Sequence, residues 1–212
     1  MDGVQIDCFN LAIAIALLGF QSPLSTAVWD RMPDPNDDTR TLQIAALFRP
    51  WQNWLDIIRA AAGAYLLMKL VFTVDEHIRG AVRFAFLWEA GILMLGVLAQ
   101  TIRFHKGVRF VGPVFYLSGL VPVISGYVDG GFTVLVAWMF TFVSGSPTYY
   151  FLAMSLSLIA CGYFGGSSMN VILCVGMSLS PFVLAALFQQ RLSFVADERR
   201  FGNPGRISGT VD

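Results

Sequence analysis

The sequence predicts an all-α membrane protein, a polytopic bundle of about six transmembrane helices, or seven, and three observations predict it. Of the 212 residues, 56% are hydrophobic and 13% charged, whereas an ordinary soluble domain carries roughly a quarter charged residues. Apolar runs recur along the chain near the length of roughly 20 helical residues that a hydrocarbon core about 30 Å thick requires. The links between the later runs are short and carry Gly, Pro and Ser, as turns between antiparallel neighbours do.

The runs at 54–73, 84–102, 110–128, 131–147, 149–165 and 169–188 are the six expected spans. Asp129-Gly130, Ser146-Pro147-Thr148 and the glycine-serine stretch 165–168 are the expected turns, and Pro147 stops the helix that runs into it. The last four helices should therefore form an antiparallel bundle. The first apolar run, 8–20, falls short of spanning length, carries Asn10 and is followed by Gln21 and Pro23, so it reads as an interfacial or re-entrant helix; extended to Trp29 it makes a seventh crossing. A polar segment at 30–40 follows, then a short apolar helix that Asp38 or Thr39 could cap. Trp51 and Trp54, behind Arg49-Pro50, mark a headgroup-level approach to the first long span. The chain thus divides into an N-terminal interfacial and cytoplasmic segment, 1–50, a transmembrane bundle, 51–190, and a polar cytoplasmic tail, 191–212.

Basic residues set the orientation, because cytoplasmic loops retain Lys and Arg. The connection 103–109 and the tail with Arg191, Arg199, Arg200 and Arg206 are the two basic regions. An even number of spans separates them, so both belong on the inner side, with the C-terminus cytoplasmic and a plasma (inner) membrane as the setting. Asp2 and Asp7 precede the first apolar run where a signal peptide would carry basic residues, so that run is expected to stay in the mature protein.

The same composition excludes several functions. A formal net charge of zero supplies no basic field for nucleic acid. Cys8, Cys161 and Cys174 stand in apolar stretches without paired spacing, and His77 and His105 in polar flanks, so neither a disulfide framework nor a metal site is expected, and no cofactor. Asp34-Pro35-Asn36-Asp37-Asp38 has the opening spacing of a calcium loop, but Thr39 replaces the required glycine and Ala45 the twelfth-position carboxylate, which leaves an exposed turn. The chain has no H-E-x-x-H, no G-x-S-x-G elbow and no Walker-A loop, and no enzyme is expected.

Charges inside spans are costly and therefore mark candidate sites. Asp56, Arg59, Lys69 and Glu89 are these charges. At 100° per residue Gln52, Asp56, Arg59 and Gly63 share one helix face, and Glu89, Gly96, Gln100 and Arg103 share another. An antiparallel hairpin of these two helices, centred near residue 79, sets Lys69 level with Glu89, Arg59 with Gln100 and Asp56 with Arg103. That is a polar ladder, structural or part of a transport path; separate interfacial anchoring, with Lys69 extending its stem outward, is the competing reading. Gly112, Gly119 and Gly126 recur at seven-residue spacing and suit close helix packing, as do Ala153, Ser157 and Ala160. Pro113 and Pro122 could kink their span, and Asn170, Cys174, Ser178 and Pro181 line a mildly polar face on the last one.

Two function classes fit. One is a non-enzymatic membrane scaffold or accessory subunit, in contact with the lipid bilayer and with membrane-protein partners or a second copy of itself. The other is a small-solute or ion transporter or channel that uses the intramembrane charges.

Overall fold

The computed structural model describes residues 4–20, 48, 51–75, 78–104, 108–144, 147–165 and 169–189, with the backbone alone at 79, 103, 104, 108, 109 and 165. In chain order the elements are β1 (Val4–Ile6), α1 (Cys8–Gly19), α2 (Trp51–Leu66), a π-helical turn (Leu67–Val71), β2 (Phe72–Val74), α3 (Arg79–Thr101), β3 (Ile102–Phe104), β4 (Val108–Phe110), α4 (Val114–Ser125), α5 (Tyr127–Ser144), α6 (Pro147–Gly165) and α7 (Met169–Leu187). The expected segment 30–40 with its calcium-like spacing, the approach at Arg49-Pro50, Ser146, residues 166–168 and the tail 191–212 lie outside the described residues; of the expected turn at Ser146-Pro147-Thr148, Pro147 and Thr148 are instead the first residues of α6, where proline needs no amide donor.

The fold is predominantly helical, and among the described residues three helices, Gly80–Thr101 within α3, α5 and α7, are long and apolar enough to cross a membrane. Burial in α5 runs opposite to that of a water-soluble helix. Its inward stripe is Gly130, Thr133, Ala137, Trp138 and Thr141, while Leu135, Met139 and Val143 point outward at 66%, 67% and 90% exposure. Small and hydroxyl-bearing residues make the helix contacts, and large apolar ones face the surroundings, as expected when lipid is the solvent. The buried hydroxyls need no water, because each bonds the carbonyl one turn back on its own helix: Thr133 to Asp129, Thr141 to Ala137, Ser155 to Phe151 and Ser178 to Cys174, all at 2.8 Å.

Two short antiparallel ladders correct the all-α expectation. β1 pairs with β2, Gln5 opposite Thr73, and β3 pairs with β4, Arg103 opposite Arg109. The second ladder also corrects the span expected at 110–128. Phe110 is a strand residue there, the Val111 amide donates to the Thr101 carbonyl at 2.9 Å, and the helix begins only after Pro113, its N-cap. Strand pairing has overridden helical periodicity, and α4 is left with 12 residues, about 18 Å of helix. The turn expected at Asp129-Gly130 is instead at Gly126, whose φ of 101° suits glycine; Asp129 and Gly130 belong to the first turn of α5. Gly130 lies against α4, where a Cβ would stand 2.5 Å from the Pro122 Cα.

The hairpin expected between the first two long helices is opened by α1, which packs against both α2 and α3. Asp7 caps α1, its Oδ1 accepting the amides of Phe9 and Asn10 at 3.0 and 3.1 Å, and the Asp7 amide donates to the Val71 carbonyl at 2.9 Å. From there α1 runs antiparallel to α2 until Leu17 and Leu18 reach Gly63. The N-terminal strand thus lies at the β2 end of α3. Phe48 lies at the other end, stacked near Phe115, Trp138 and Phe142. Asp7 and Phe48 therefore lie at opposite ends of the bundle. The Phe110 and Phe188 rings, 5.4 Å apart, place the end of α7 beside the β3–β4 ladder.

The tightest helix crossing is α2 on α4, where a Cβ on Gly119 would fall on the Ile57 carbonyl. Gly131, on α5, has nothing within 4 Å of the same position. Gly119→Ala should lower the thermal midpoint in detergent, by the equivalent of about 1–3 kcal/mol for overpacking. Gly131→Ala should leave it unchanged or raise it by helix propensity, about 1 kcal/mol at most.

Candidate functional site: the buried end of α1

A helix leaves its last carbonyls without intrahelical donors, and in the last turn of α1 Leu18 is buried, at 1% exposure, while Gly19 and Phe20 are exposed. The Phe20 amide closes one bond, to the Ala16 carbonyl at 2.9 Å. Side chains from two other helices serve the carbonyls of Leu18 and Phe20. Gln100 Nε2 on α3 donates to the carbonyls of Leu18 and Phe20 at 3.3 and 3.2 Å, and Tyr116 Oη on α4 donates to Leu18 at 3.2 Å. Two glycines make room: a Cβ on Gly63 would meet Leu18 Cγ at 2.9 Å, and one on Gly96 would meet Tyr116 Oη at 2.7 Å.

Arg59 adds the charge at this joint. Its Nη2 pairs with Asp56 Oδ1 at 2.9 Å, and its Cζ stands 5.7 Å from the centroid of the Tyr116 ring, within cation–π range. A cation beside the negative end of α1 is also favoured by the helix dipole. Arg59 Nη1 is buried and has no hydrogen-bond partner among the described residues.

The two polar faces read from the sequence do converge, but on α1 rather than on each other. Gly63 meets it from α2, and Gly96 and Gln100 from α3; Arg59, paired with Asp56, stands beside the Tyr116 ring. Arg59 and Gln100 meet through Tyr116 and the Leu18 carbonyl, without direct contact. Lys69 is exposed on the π-helical turn and Glu89 is half-buried; among the described residues the only ion pair is Asp56–Arg59. Arg103 is a β3 residue, and its side chain lies outside the described part.

Of the small residues, Gly119 sits at the α2–α4 crossing, and Gly112, just before α4, lies against Phe151 and Pro147 of α6. Gly126 is the exposed α4–α5 turn. Ala153 is buried, Ser157 half-buried and Ala160 exposed. On α7 Asn170 is half-buried while Cys174, Ser178 and Pro181 face inward; Pro181 has no amide for the carbonyl of Met177, which accepts the Ser180 hydroxyl at 3.0 Å instead.

Two polar features escaped the sequence reading. Tyr116 is one, although a phenol in an apolar run signals a buried hydrogen bond. The other joins α4, α5 and α6: Ser118 Oγ donates to the Val114 carbonyl at 2.8 Å and accepts Trp138 Nε1 at 3.1 Å. With its one proton committed, its 2.7 Å contact to Tyr150 Oη has the phenol as donor. The carbonyls of Leu18 and Phe20 carry no sequence signal at all.

Comparison with known proteins gives no match: no family model, no curated protein and no solved structure aligns with the chain.

Tyr116 and Gln100 serve the same Leu18 carbonyl, so each can cover for the loss of the other. Tyr116→Phe and Gln100→Leu should each reduce stability in detergent by about 1–3 kcal/mol. The double variant should lose more than the sum, by about 0.5 kcal/mol or more; additive losses would show that the two donors act independently.

Proposed function

We propose that this is an integral protein of the plasma (inner) membrane that works without catalysis, as a scaffold or accessory subunit. The observation that carries this reading is where the interior polar groups are used. Gln100, Tyr116, Ser118, Trp138 and Tyr150 all bond across helices, and the outward faces are apolar. A bundle so joined suits holding a fixed shape in lipid and presenting its helices to membrane-protein partners or to a second copy.

In this reading the chain crosses seven times, the N-terminal strand lies outside, and the β3–β4 ladder and the C-terminus are cytoplasmic. Support comes from the placement of Asp7 and Phe48 at opposite ends of the bundle, from the lack of Lys or Arg before Arg31, and from the basic residues gathered at the other end.

A small-solute or ion transporter is the second reading, supported by one feature. A half-length helix that ends inside a bundle beside a buried guanidinium resembles the broken helices that line transport sites.

Both parts are testable with single-cysteine chains. Cys8, exposed near the N-terminus, should react with an impermeant maleimide on intact cells, and a cysteine at Gln189 only after the cells are opened; the reverse pattern would invert the topology. A cysteine at Ala60, which is fully buried, should resist hydrophilic thiol reagents from both sides. Reaction from one side would reveal a water path and favour the transporter.

A further inference from the structure

Two helices carry the same pattern on their outward faces. On α2 Trp51 and Tyr65 are exposed, and on α6 Tyr149 and Tyr163 are, each by at least 48%. In both pairs the rings are fourteen residues apart, nearly four helical turns, so they share a face and stand about 21 Å apart along the axis. Between them every exposed residue is apolar: Trp54, Leu55 and Ile58 on α2, Leu156, Ile159 and Ala160 on α6. Tyr and Trp favour the border between headgroups and hydrocarbon, where an apolar ring and a polar tip are both served.

The two pairs are level with one another. The Phe48 ring touches those of Trp54 and Trp138, and Trp138 touches Tyr150, which sets the starts of α2 and α6 at one end of the bundle. At the other end Tyr127, also exposed, opens α5. The register of α3 on α4 is given by the Val111 amide on the Thr101 carbonyl and by Tyr116 against Gly96. It sets Trp88, the exposed tryptophan of α3, level with Ile124, just before the Gly126 turn from which α5 departs. From Thr101 to Trp88 is again about 20 Å of helix.

The charged residues respect the same two borders. Lys69 lies one turn beyond Tyr65, and Arg83 more than a turn beyond Trp88; both are exposed. Asp7, bonded at Val71, stands further out still. Glu89 and Asp129 are within a turn of the outer border, beside Trp88 and Tyr127. The charges well inside are Asp56 and Arg59, and they are paired. A hydrocarbon core of ordinary depth, about 30 Å, laid from the same inner border would submerge Lys69, Arg83 and Glu89, none of which has an ion-pair partner among the described residues, at a few kcal/mol each. The 12 residues of α4, about 18 Å of helix, nearly cross the shallower core and fall far short of the deeper one.

We propose that the lipid-facing belt of this protein is about 21 Å deep, bounded by Trp51, Trp54 and Tyr149 on one side and by Tyr65, Trp88, Tyr127 and Tyr163 on the other, and that it fits an annulus of short-chain phospholipid. A bilayer of ordinary thickness is compressed around it. This rests on the membrane reading and deepens it, by naming the acyl chains that the outward faces match.

The test is reconstitution of the full chain into phosphatidylcholine vesicles whose monounsaturated acyl chains have about 14, 18 or 22 carbons. The thermal midpoint should be highest in the shortest chains and fall with each lengthening, by about 4 °C or more across the series. A second measurement places Trp88, using phosphatidylcholines brominated either near the headgroup or near the chain end. The difference in fluorescence between the full chain and Trp88→Phe isolates this one indole. Its emission should be quenched at least about twofold more by the shallow bromines than by the deep ones. A midpoint that is highest at about 18 carbons or more, or indifferent to chain length, overturns the proposal, and so does stronger quenching of Trp88 by the deep bromines. Failure of the membrane reading itself would show separately, as folded protein in the aqueous fraction without detergent.

Discussion

The carbonyl of Leu18 is the point on which much of the rest depends. A helix that stops inside a bundle leaves acceptors where water cannot serve them, and such groups are expensive to bury unpaired. Gln100 and Tyr116 meet that need, and in doing so fasten α1 to α3 and α4 through a single oxygen. Gly63 and Gly96 bring α1 close enough for those bonds, and Arg59 sets its charge against the same helix end. Had α1 ended in solvent, none of these residues would have had a reason to face inward.

Elsewhere the interior follows the same economy of polar groups. Hydroxyls bond back along their own helices, Ser180 covers the carbonyl that Pro181 cannot serve, and Ser118 ties Trp138 and Tyr150 to α4. Close packing supplies the remaining cohesion. It shows at Gly119 against Ile57, Gly130 against Pro122 and Gly162 against Val171, where a Cβ would stand 2.9 Å from Val171 Cγ1. Such contacts draw on dispersion and shape, which is what helix association in lipid has available.

The charged pair near the interior, Asp56 with Arg59, follows the same pattern: it is matched at short range, and the guanidinium stands beside the Tyr116 ring whose hydroxyl serves the Leu18 carbonyl. A matched pair holds a structure still, so the charge at this joint supports the fixed position of α1 against α2 and α4.

Apolar periodicity and composition pointed, without any tertiary information, to a predominantly helical chain with helices long and apolar enough to cross a membrane, because spanning length and the scarcity of charge are local properties. The helix faces bearing Asp56, Arg59 and Gly63, and Gly96 and Gln100, were equally legible, since angular position on a helix depends on spacing alone. What those faces meet was decided by tertiary structure: α1 comes between them, bringing backbone carbonyls that no side chain announces. The shortening of α4 was decided there too, because Phe110 and Val111 pair with residues across a turn in preference to the helix their own run suggests. The placement of Asp7 beside Val71 and of Phe48 beside Trp138 likewise depends on contacts far apart in sequence, and those are set by packing rather than by pattern.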